Sequence, residues 1–234
     1  MNLLETNSLN KFYGKFQALK DISVTIPKGK IVSILGPNGA GKTTFIKIIA
    51  GLIHQNSGTI LLNGNKITSK TKSLTAYLPD KNFLYQWFTV SDAIDYFNCF
   101  FEDFNKETAK KLIKEMDISE KQKIRSCSKG MQERINMALT LSRKAKLFVF
   151  DEPLAAVDPL TRDFIIEAIK NNIDRDNASM LISTHLVNDV ESLFDDVIII
   201  SDGKLLLSGN VEELKEKHKM NLENLFKEVI RNAA

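Results

Sequence analysis

The stretch GPNGAGKTT at residues 36–44 directly follows the apolar run IVSIL, and it restricts the possible folds of this chain more than any other segment. Glycine loses more backbone freedom on folding than any other residue. Its three occurrences within six residues therefore indicate a backbone that must approach another group closely. The spacing from Gly36 to Thr43 matches the phosphate-binding pattern G-x-x-x-x-G-K-[ST] at every specified position. We predict a strand that leads into a phosphate-binding loop, and a helix that begins near Lys42.

Each part of this loop can contribute to binding the phosphates of a nucleotide. Successive backbone N–H groups can form a concave cradle, and the following helix adds its free N–H groups and positive dipole end. The Lys42 ammonium can reach the β- and γ-phosphates, and the Thr43 hydroxyl can bind Mg²⁺. A glycine-rich turn without a ligand is the competing interpretation. The predicted nucleotide-binding residues of the loop are Gly36, Pro37, Asn38, Gly39, Ala40, Gly41, Lys42, Thr43 and Thr44.

The length and composition indicate one globular domain. The chain has 234 residues, of which 43% are hydrophobic and 26% are charged, and its net charge of +3 is too small to indicate a nucleic-acid partner. No window approaches the roughly 18 apolar residues of a membrane span, and the start lacks the layout of a signal peptide. Cys99 and Cys127 have no Cys or His partners in sequence, so we expect reduced thiols in a cytosolic chain.

Short apolar strands alternate with helices along most of the chain, which is typical of a parallel sheet covered on both faces. The middle third is helical instead. There Thr89 and Asp92 predict a helix N-cap, and apolar residues recur at helical spacing from Ala109 to Met116. We therefore predict an α/β core with a helical insertion. The predicted strands are at 3–9, 19–26, 31–35, 58–64, 147–150, 179–183, 197–200 and 204–208, with further helices over 159–173 and 186–194.

A second chemical feature is LFVFDEP at 147–153, where an apolar strand ends in Asp151 and Glu152. Ligands of open α/β sheets bind beyond the carboxyl ends of the strands, so we expect this pair beside the phosphates. Because successive strand residues point in opposite directions, we assign them different roles. Asp151 is expected to hold Mg²⁺ through water, and Glu152 to act as the general base toward the attacking water. A solvated acidic turn is the competing interpretation.

Three further motifs and one aromatic residue complete an ordered set. SKGMQ lies at 128–132, AAVDP at 155–159 and STH at 183–185, and Tyr13 precedes a glycine in KFYGKF. Together with the loop and the acidic pair, they span essentially the whole chain. In this order and spacing the chain resembles the nucleotide-binding subunit of an ABC transporter. The tail LENLFKEVI is similar to the end of cassettes from the drug-, peptide- and antibiotic-export branch.

The resemblance implies a P-loop NTPase core with a mostly parallel sheet, an N-terminal antiparallel β portion and an inserted helical subdomain. The implied domain is 1–234, with its core at about 1–80 and 145–234 and the helical subdomain at about 81–144. The implied activity is Mg²⁺-dependent hydrolysis of ATP. Tyr13 would stack on adenine, Glu152 and His185 would be catalytic, and His185 would sense the γ-phosphate.

The resemblance also implies that two cassettes pair head to tail, as a homodimer or a heterodimer. Each ATP would then lie between the phosphate loop of one chain and the SKGMQ motif of the other. Asp158 would belong to the D-loop between them. The residues expected to act on the partner's ATP are Ser128, Lys129, Gly130, Met131 and Gln132.

Two positions depart from the family pattern. Lys129 replaces the first glycine of the signature S-G-G-Q, where it would either add charge near the partner's nucleotide or face solvent. Asp80 occupies the Q-loop position of a glutamine that contacts Mg²⁺ and the attacking water. Because aspartate is shorter, contact with the metal would need a closer loop or a bridging water. The alternative is that Asp80 is a polar turn residue after Pro79.

The segment after Asp80, KNFLYQWFTV, carries Tyr85, Trp87 and Phe88 where family members contact a membrane permease. Packing of these aromatic residues in the core is the open alternative. The resemblance implies an ATPase subunit that energises a permease on a separate chain, for export, at the inner face of the cell membrane. The alternatives are a soluble ABC-type ATPase that is not coupled to transport and a regulatory module without turnover. Glu152 argues against the regulatory module.

Overall fold

The computed structural model describes residues 2–154 and 157–233, which form two β-sheets and helices on both sides of the larger sheet. The strands are β1 (Asn2–Tyr13), β2 (Phe16–Ile22), β3 (Thr25–Pro27), β4 (Ile31–Leu35), β5 (Ser57–Leu62), β6 (Asn65–Lys66), β7 (Thr75–Leu78), β8 (Leu147–Asp151), β9 (Ser179–Ser183), β10 (Asp196–Ser201) and β11 (Lys204–Asn210). The helices are α1 (Lys42–Ile49), α2 (Ser69–Lys72), α3 (Val90–Phe100), α4 (Lys106–Glu115), α5 (Lys129–Leu141), α6 (Pro159–Asn172), α7 (Val187–Val190), α8 (Val211–His218) and α9 (Leu222–Ala233).

The larger sheet has the strand order β11-β10-β4-β9-β8-β7. All its neighbouring strands are parallel except β11, which pairs with β10 in the antiparallel direction. Because parallel strands end at the same edge, the segments that follow Leu35, Leu78, Asp151 and Ser183 meet at one place. Four sequence-distant motifs are brought together in this way, and the predicted mostly parallel sheet is confirmed.

Both faces of the sheet are buried along its central strands β10, β4, β9 and β8, which explains why these strands are nearly continuous apolar runs. Along β8, Phe148 and Phe150 belong to one hydrophobic cluster, whereas Leu147 and Val149 belong to the other. The first cluster includes side chains of the helices from α3 to α9, and the second includes those of α1 and the smaller sheet. Burial on both faces holds the strand ends in a fixed arrangement.

The smaller sheet is antiparallel and contains the N-terminal strands β1, β2, β3, β5 and β6. This confirms the expected antiparallel β portion. The prediction of one continuous strand over 19–26 is wrong, because β2 ends at Ile22 and β3 begins at Thr25. Between β2 and β3, hydrogen bonds of the Thr6 side chain take the place of part of the regular backbone hydrogen bonding. The Thr6 Oγ1 contacts the carbonyl of Ile22 and accepts a hydrogen bond from the Val24 N–H.

The segment between β7 and β8 contains α3, α4 and α5. Thr89 caps α3, and the Asp92 carboxylate accepts a hydrogen bond from the Thr89 N–H in return. This reciprocal pair confirms the predicted N-cap. In α4 the buried residues include Ala109 and Leu112, in agreement with the predicted apolar face. α5 contacts α3, α4, α6 and β7, so it connects the helical segment to the sheet.

One helix prediction also differs from the structure, and one strand was missed. The helix predicted over 186–194 is only the one-turn α7, followed by a 3-10 turn at Glu191–Leu193, because the backbone of Val190 leaves helical geometry at φ −135°. β7 was not predicted, since its four residues are too short to show a period. No helix within residues 2–154 and 157–233 is long and apolar enough to span a membrane.

Candidate active site

The loop at 36–44 joins β4 to α1 and, within the described part of the chain, leaves the N-terminus of that helix without a side-chain cap. Gly41 is the N-cap at φ 104°, no side chain caps the helix, and the first turn carries no acidic residue. The first backbone N–H groups of a helix have no intrahelical acceptor and carry partial positive charge. The loop and helix therefore present a site suited to an anion such as phosphate.

The glycines of the loop have different structural reasons. A Cβ on Gly36 would lie 2.4 Å from the Ile200 carbonyl oxygen, and one on Gly41 would lie 2.7 Å from that of Ala18. Close packing against the chain itself therefore accounts for these two. Gly39 also has positive φ, at 82°, but a Cβ there would meet nothing within 4 Å. Of the three, Gly39 is the one that leaves backbone accessible to a ligand.

Lys42 is the cation of the site, and its side chain is buried. Its ammonium donates hydrogen bonds to the carbonyls of Gly36 at 2.8 Å and Pro37 at 3.4 Å. It also lies 3.5 Å from Oε1 of Glu152. A phosphate that binds in the loop would compete with these oxygens for the ammonium.

Asp151 is fully buried at the end of β8. Its Oδ1 accepts hydrogen bonds from the hydroxyls of Ser183 at 2.8 Å and Thr43 at 3.2 Å. Burial raises the pKa of Asp151, the two hydroxyls act in the opposite direction, and the nearby charges of Asp80 and Glu152 raise it further. Additional positive charge at this carboxylate would stabilise its ionised form.

The surroundings of Asp151 fit Mg²⁺. Its Oδ2 is buried and has no hydrogen-bond partner within the described part of the chain, and Thr43 supplies a hydroxyl beside Oδ1. The described residues contain no group of three His, Cys, Asp or Glu side chains that could hold a metal by themselves. A hard cation that is held by one carboxylate, one hydroxyl, water and nucleotide phosphates matches this donor set.

Glu152 lies just beyond β8 and has a left-handed backbone at φ 51°. Its N–H donates to Oγ of Ser183 at 2.8 Å, and its Oε2 lies 2.9 Å from Nδ1 of His185. The prediction that the two acids point in opposite directions along one strand is therefore wrong. Asp151 contacts Thr43 and Glu152 contacts Lys42, so both carboxylates reach the loop. Ser183, which sequence reasoning missed, links the two, and its place at the end of β9 was the available signal.

The β1–β2 hairpin forms one wall of a groove of about 350 Å³ that reaches the loop. Tyr13 and Phe16 are register partners on the two strands, and both line the groove. Tyr13 is 50% exposed and Phe16 is 64% exposed. Tyr13 was predicted as the adenine-stacking residue, and Phe16 is a second exposed ring that the sequence motif did not indicate.

The SKGMQ motif begins α5. Ser128 is the N-cap, and its Oγ accepts a hydrogen bond from the Met131 N–H at 3.2 Å. The Lys129 side chain is 75% exposed and lies 3.9 Å from Glu133, and the Gln132 side chain donates to two backbone carbonyls. Within the described residues, no hydrogen bond or ion pair joins this motif to the loop at 36–44 of the same chain.

The remaining predicted residues are Asp158 and Asp80. Asp158 is the N-cap of α6 and accepts hydrogen bonds from the backbone and hydroxyl of Thr161, whereas Ala155 and Ala156 of the predicted D-loop lie outside the described residues. Asp80 follows β7 and is exposed. Burial raises the pKa of Tyr77, and the charges of Asp151 and Asp80 add to this shift. The charge of Asp80 thus affects the pKa values of Tyr77 and Asp151, and contact of Asp80 with Mg²⁺ stays a prediction.

The segment after Asp80 presents an aromatic platform, formed by Tyr85, Trp87, Phe88, Tyr96 and Phe100. Trp87 stacks on Tyr85 with ring centroids 4.5 Å apart, and Trp87 is 67% exposed. The alternative that Trp87 packs in the core is therefore wrong. It is also wrong for Tyr85, which is 45% exposed, and holds in part for Phe88, which like Tyr96 is partly buried against the hydrophobic core.

Comparison with known proteins places the chain in one family. The sequence profile described as ABC transporter matches residues 19–155, more than half of the chain. The chain is 31% identical to the ABC transporter ATP-binding protein YtrB of Bacillus subtilis, over 92% of this chain and 75% of YtrB. It is 31% identical to the linearmycin resistance ATP-binding protein LnrL of the same organism, over 91% and 70%. It is 30% identical to the lantibiotic transport ATP-binding protein SrtF of Streptococcus pyogenes, over 91% and 95%.

Solved structures agree with the fold. The ATP-binding subunit of an ABC transporter superposes with a TM-score of 0.87 at 24% identity, over 97% of this chain and 99% of that one. A dimeric bacterial ABC transporter cassette superposes with a TM-score of 0.78 at 21% identity, over 88% and 98%. The alternatives of an ATPase unrelated to transport and of a module without turnover are not favoured. The chain belongs to the ABC transporter family, as an ATP-binding and ATP-hydrolysing subunit.

Proposed function

We propose that this subunit hydrolyses ATP at sites shared by two cassettes, and that hydrolysis drives export through a permease on a separate membrane chain. The observation that supports hydrolysis most directly is the position of Glu152. Its carboxylate contacts Lys42 through one oxygen and His185 through the other, beside the N-terminus of α1, which no side chain of residues 2–154 and 157–233 caps. A base, a cation and a phosphate site are the parts that phosphoryl transfer to water needs.

Lys42 has the first role in this mechanism. Its ammonium binds the β- and γ-phosphates in exchange for the carbonyls of Gly36 and Pro37 and for the Glu152 carboxylate. Binding of the nucleotide therefore separates Lys42 from Glu152. The carboxylate that is released stays beside His185 and can accept the proton of an attacking water.

His185 and Ser183 hold Glu152 in place for this step. Nδ1 of His185 fixes one carboxylate oxygen, while Oγ of Ser183 fixes the backbone N–H. The His185 side chain is half-exposed, and its imidazole can donate to the γ-phosphate through Nε2 when both ring nitrogens are protonated. When Mg²⁺ is bound, by Thr43 and Asp151, it supplies positive charge to the phosphate oxygens.

The pairing of two cassettes is supported by Gly130, in the first turn of α5. Glycine weakens a helix by about 1 kcal/mol relative to alanine. A Cβ at this position would lie 3.8 Å from the nearest atom, Oγ1 of Thr161, which is ordinary contact distance. Packing within the chain therefore does not require glycine here. A group that approaches from outside, such as the γ-phosphate bound to a partner cassette, provides the missing reason.

The pairing is tested by the protein-concentration dependence of turnover. Since one chain would supply only half of each site, the ATPase activity per chain should rise with protein concentration until dimers form. Gly130→Trp, which blocks the approach without touching the chain's own loop, should keep ATP binding and remove this rise. An activity per chain that does not depend on concentration would contradict a shared site.

The permease is proposed to dock on the aromatic platform, which places the chain on the cytoplasmic side of the membrane. The backbone N–H groups of Ile124 and Arg125 donate to the carbonyls of Phe88 and Gln86, so the exposed cations of Lys123 and Arg125 lie on a segment paired with the platform. Neither cation has an ion-pair partner within residues 2–154 and 157–233. The docking segment is therefore expected to carry an apolar side chain for the platform and a carboxylate for these cations.

Trp87→Ala tests the docking surface. Loss of an aromatic anchor at an interface costs about 2 kcal/mol, or about thirtyfold in affinity. The variant should bind ATP normally but lose the membrane protein that co-purifies with the tagged wild-type chain from detergent-solubilised native membranes. Leu52→Ala removes another exposed apolar side chain outside the platform and should have no effect. Equal recovery with Trp87→Ala would contradict this surface.

Export is proposed because LnrL is described as a resistance protein and SrtF as a lantibiotic transport protein. Removal of a compound from the cell is one way in which a transport protein can give resistance, so an export direction is consistent with the description of LnrL. The direction of transport can be measured with inside-out membrane vesicles that carry the assembled complex. Accumulation that depends on ATP supports export, whereas accumulation by right-side-out vesicles loaded with ATP contradicts it.

A further inference from the structure

Asn82 connects the segment after β7 to the signature helix α5 through hydrogen bonds of its side-chain amide. Its Nδ2 donates to Oε1 of Gln132, which lies in the first turns of α5. Its Oδ1 accepts from the Leu84 N–H at 3.0 Å and from Nδ2 of Asn136 at 3.1 Å. One side chain thus joins its own loop to two positions on α5, four residues apart.

The orientations of Gln132 and Asn82 in this network are fixed by their other partners, and Asn136 presents its Nδ2 to Asn82. Nε2 of Gln132 donates to the carbonyls of Ile124 and Cys127, both at 3.1 Å, so its Oε1 is the atom that faces Asn82. Asn82 must therefore present a donor to Gln132 and an acceptor to Asn136. Asparagine provides both functions, whereas aspartate has no donor when it is ionised.

The burial of the partners shows which side of the connection is rigid. Asn136 is only 4% exposed, and Gln132 is partly buried, whereas Asn82 itself is exposed. Gln132 and Asn136 are thus held in place by α5 and its packing. Asn82 lies instead on an exposed segment, two residues after Asp80. When a hydrogen bond between an exposed amide and a buried one opens, water can solvate the exposed amide.

We propose that Asn82 is a positioning residue that sets the place of the first turn of α5 relative to the catalytic edge of the sheet. This inference rests on the proposed function, in which Ser128 and Gly130 on that turn complete the ATP site of a partner cassette. Asn82 acts through Gln132 and Asn136 and does not touch the nucleotide of its own chain. Its loss therefore separates two properties: the chain's own ATP site is preserved, and its ability to complete the partner's site is lost.

The test compares Asn82→Ala and Asn82→Asp with the control Asn65→Asp. Asn65 is also exposed, and its side chain makes a local hydrogen bond to the carbonyl of Asn63. Binding of a fluorescent ATP analogue is measured at low protein concentration, where chains are monomeric, and turnover is measured at high concentration. Dimer formation with ATP is measured in a Glu152→Gln background, by sedimentation velocity.

Both Asn82 variants should bind the analogue with an affinity within about twofold of wild type. Their kcat and the affinity of the ATP-bound dimer should fall about tenfold, which is the effect expected from the loss of roughly one net hydrogen bond. Asn82→Asp should be the more affected, because its carboxylate faces Oε1 of Gln132. Wild-type kcat and dimer affinity in Asn82→Ala would overturn the inference, as would a parallel loss of analogue binding. If the Glu152→Gln parent forms no dimer with ATP, the shared site fails and this inference fails with it.

Discussion

Ser183 offers a test of the link between the two catalytic carboxylates. Its Oγ donates to Oδ1 of Asp151 and accepts from the Glu152 N–H, both at 2.8 Å, and the residue is fully buried. Ser183→Ala removes one hydrogen bond to an ionised group and one neutral hydrogen bond, and leaves the N–H of the partly buried Glu152 without this acceptor. From typical values the loss is about 3 kcal/mol of unfolding free energy. For a chain of this length that lowers the thermal midpoint by about 6–12 °C.

A matched control lies at the other end of the same strand. Ser179 is also fully buried, and its Oγ donates to the Pro27 carbonyl and accepts from the Gly29 N–H, both at 2.9 Å. Ser179→Ala should lower stability by about 2 kcal/mol, since both lost bonds are neutral. It should leave kcat unchanged at temperatures well below its midpoint, because it lies at the opposite edge of the sheet.

Ser183→Ala should instead reduce kcat by about tenfold or more at the same distance below its own midpoint, because the Glu152 backbone is no longer fixed. The acidic limb of the pH–rate profile should also move to higher pH. The Ser183 hydroxyl lowers the pKa of Asp151, so its removal raises that pKa, and Asp151 must be ionised to bind Mg²⁺. Thermal unfolding and steady-state ATPase assays measure these effects. If the two serine variants lose the same stability and the same kcat, the reasoning is refuted.

Three further substitutions test separate parts of the account. Lys42→Ala should weaken ATP binding by about 10- to 100-fold in titration calorimetry, since a charge-assisted contact is lost, while Lys47→Ala in the last turn of α1 should not. Unchanged affinity in Lys42→Ala would show that the loop does not bind phosphate as proposed. Gly130→Ala should raise the unfolding free energy by about 0.5–1 kcal/mol and lower turnover, and a stabilised variant with full turnover would argue against the approach of a partner's phosphate. Glu133→Gln should raise the thermal midpoint at neutral pH, because burial raises the pKa of Glu133 and its Oε2 has no partner in the described part of the chain. A carboxyl group whose pKa is raised in the folded state destabilises the fold once the pH exceeds the pKa of that group in the unfolded chain. The gain in thermal midpoint from Glu133→Gln should therefore vanish below about pH 4. A gain that persists there would refute burial of the charge as its cause.

The sequence predicted the elements whose burial is uniform. β4 and β9 have the predicted bounds, Ile31–Leu35 and Ser179–Ser183, because a strand buried on both faces is one apolar run with clear ends. The interruption between β2 and β3 was not predictable from residues 19–26 alone. It depends on the Thr6 side chain, which is distant in sequence and replaces part of the ladder.

The same distinction applies to the site. Local spacing indicated the loop, and the end of an apolar strand indicated Asp151 and Glu152. The left-handed backbone of Glu152 was not visible in the sequence, because it depends on the hydrogen bond from its N–H to Ser183 on the next strand. Phe16 was missed for a related reason. Its place in the groove follows from its register with Tyr13 across the β1–β2 hairpin.

The most direct test of the account is Glu152→Gln. Glutamine keeps the size and polarity of the side chain but removes the carboxylate that accepts a proton from water, so turnover should fall by at least about 100-fold. ATP should still bind to the loop, and the chains should accumulate as a dimer that holds uncleaved ATP. Gel filtration with ATP and Mg²⁺, followed by analysis of the nucleotide in the dimer peak, measures this result. A variant that hydrolyses ATP at the wild-type rate would contradict the role of Glu152, and a variant that binds ATP but stays monomeric would contradict the shared site.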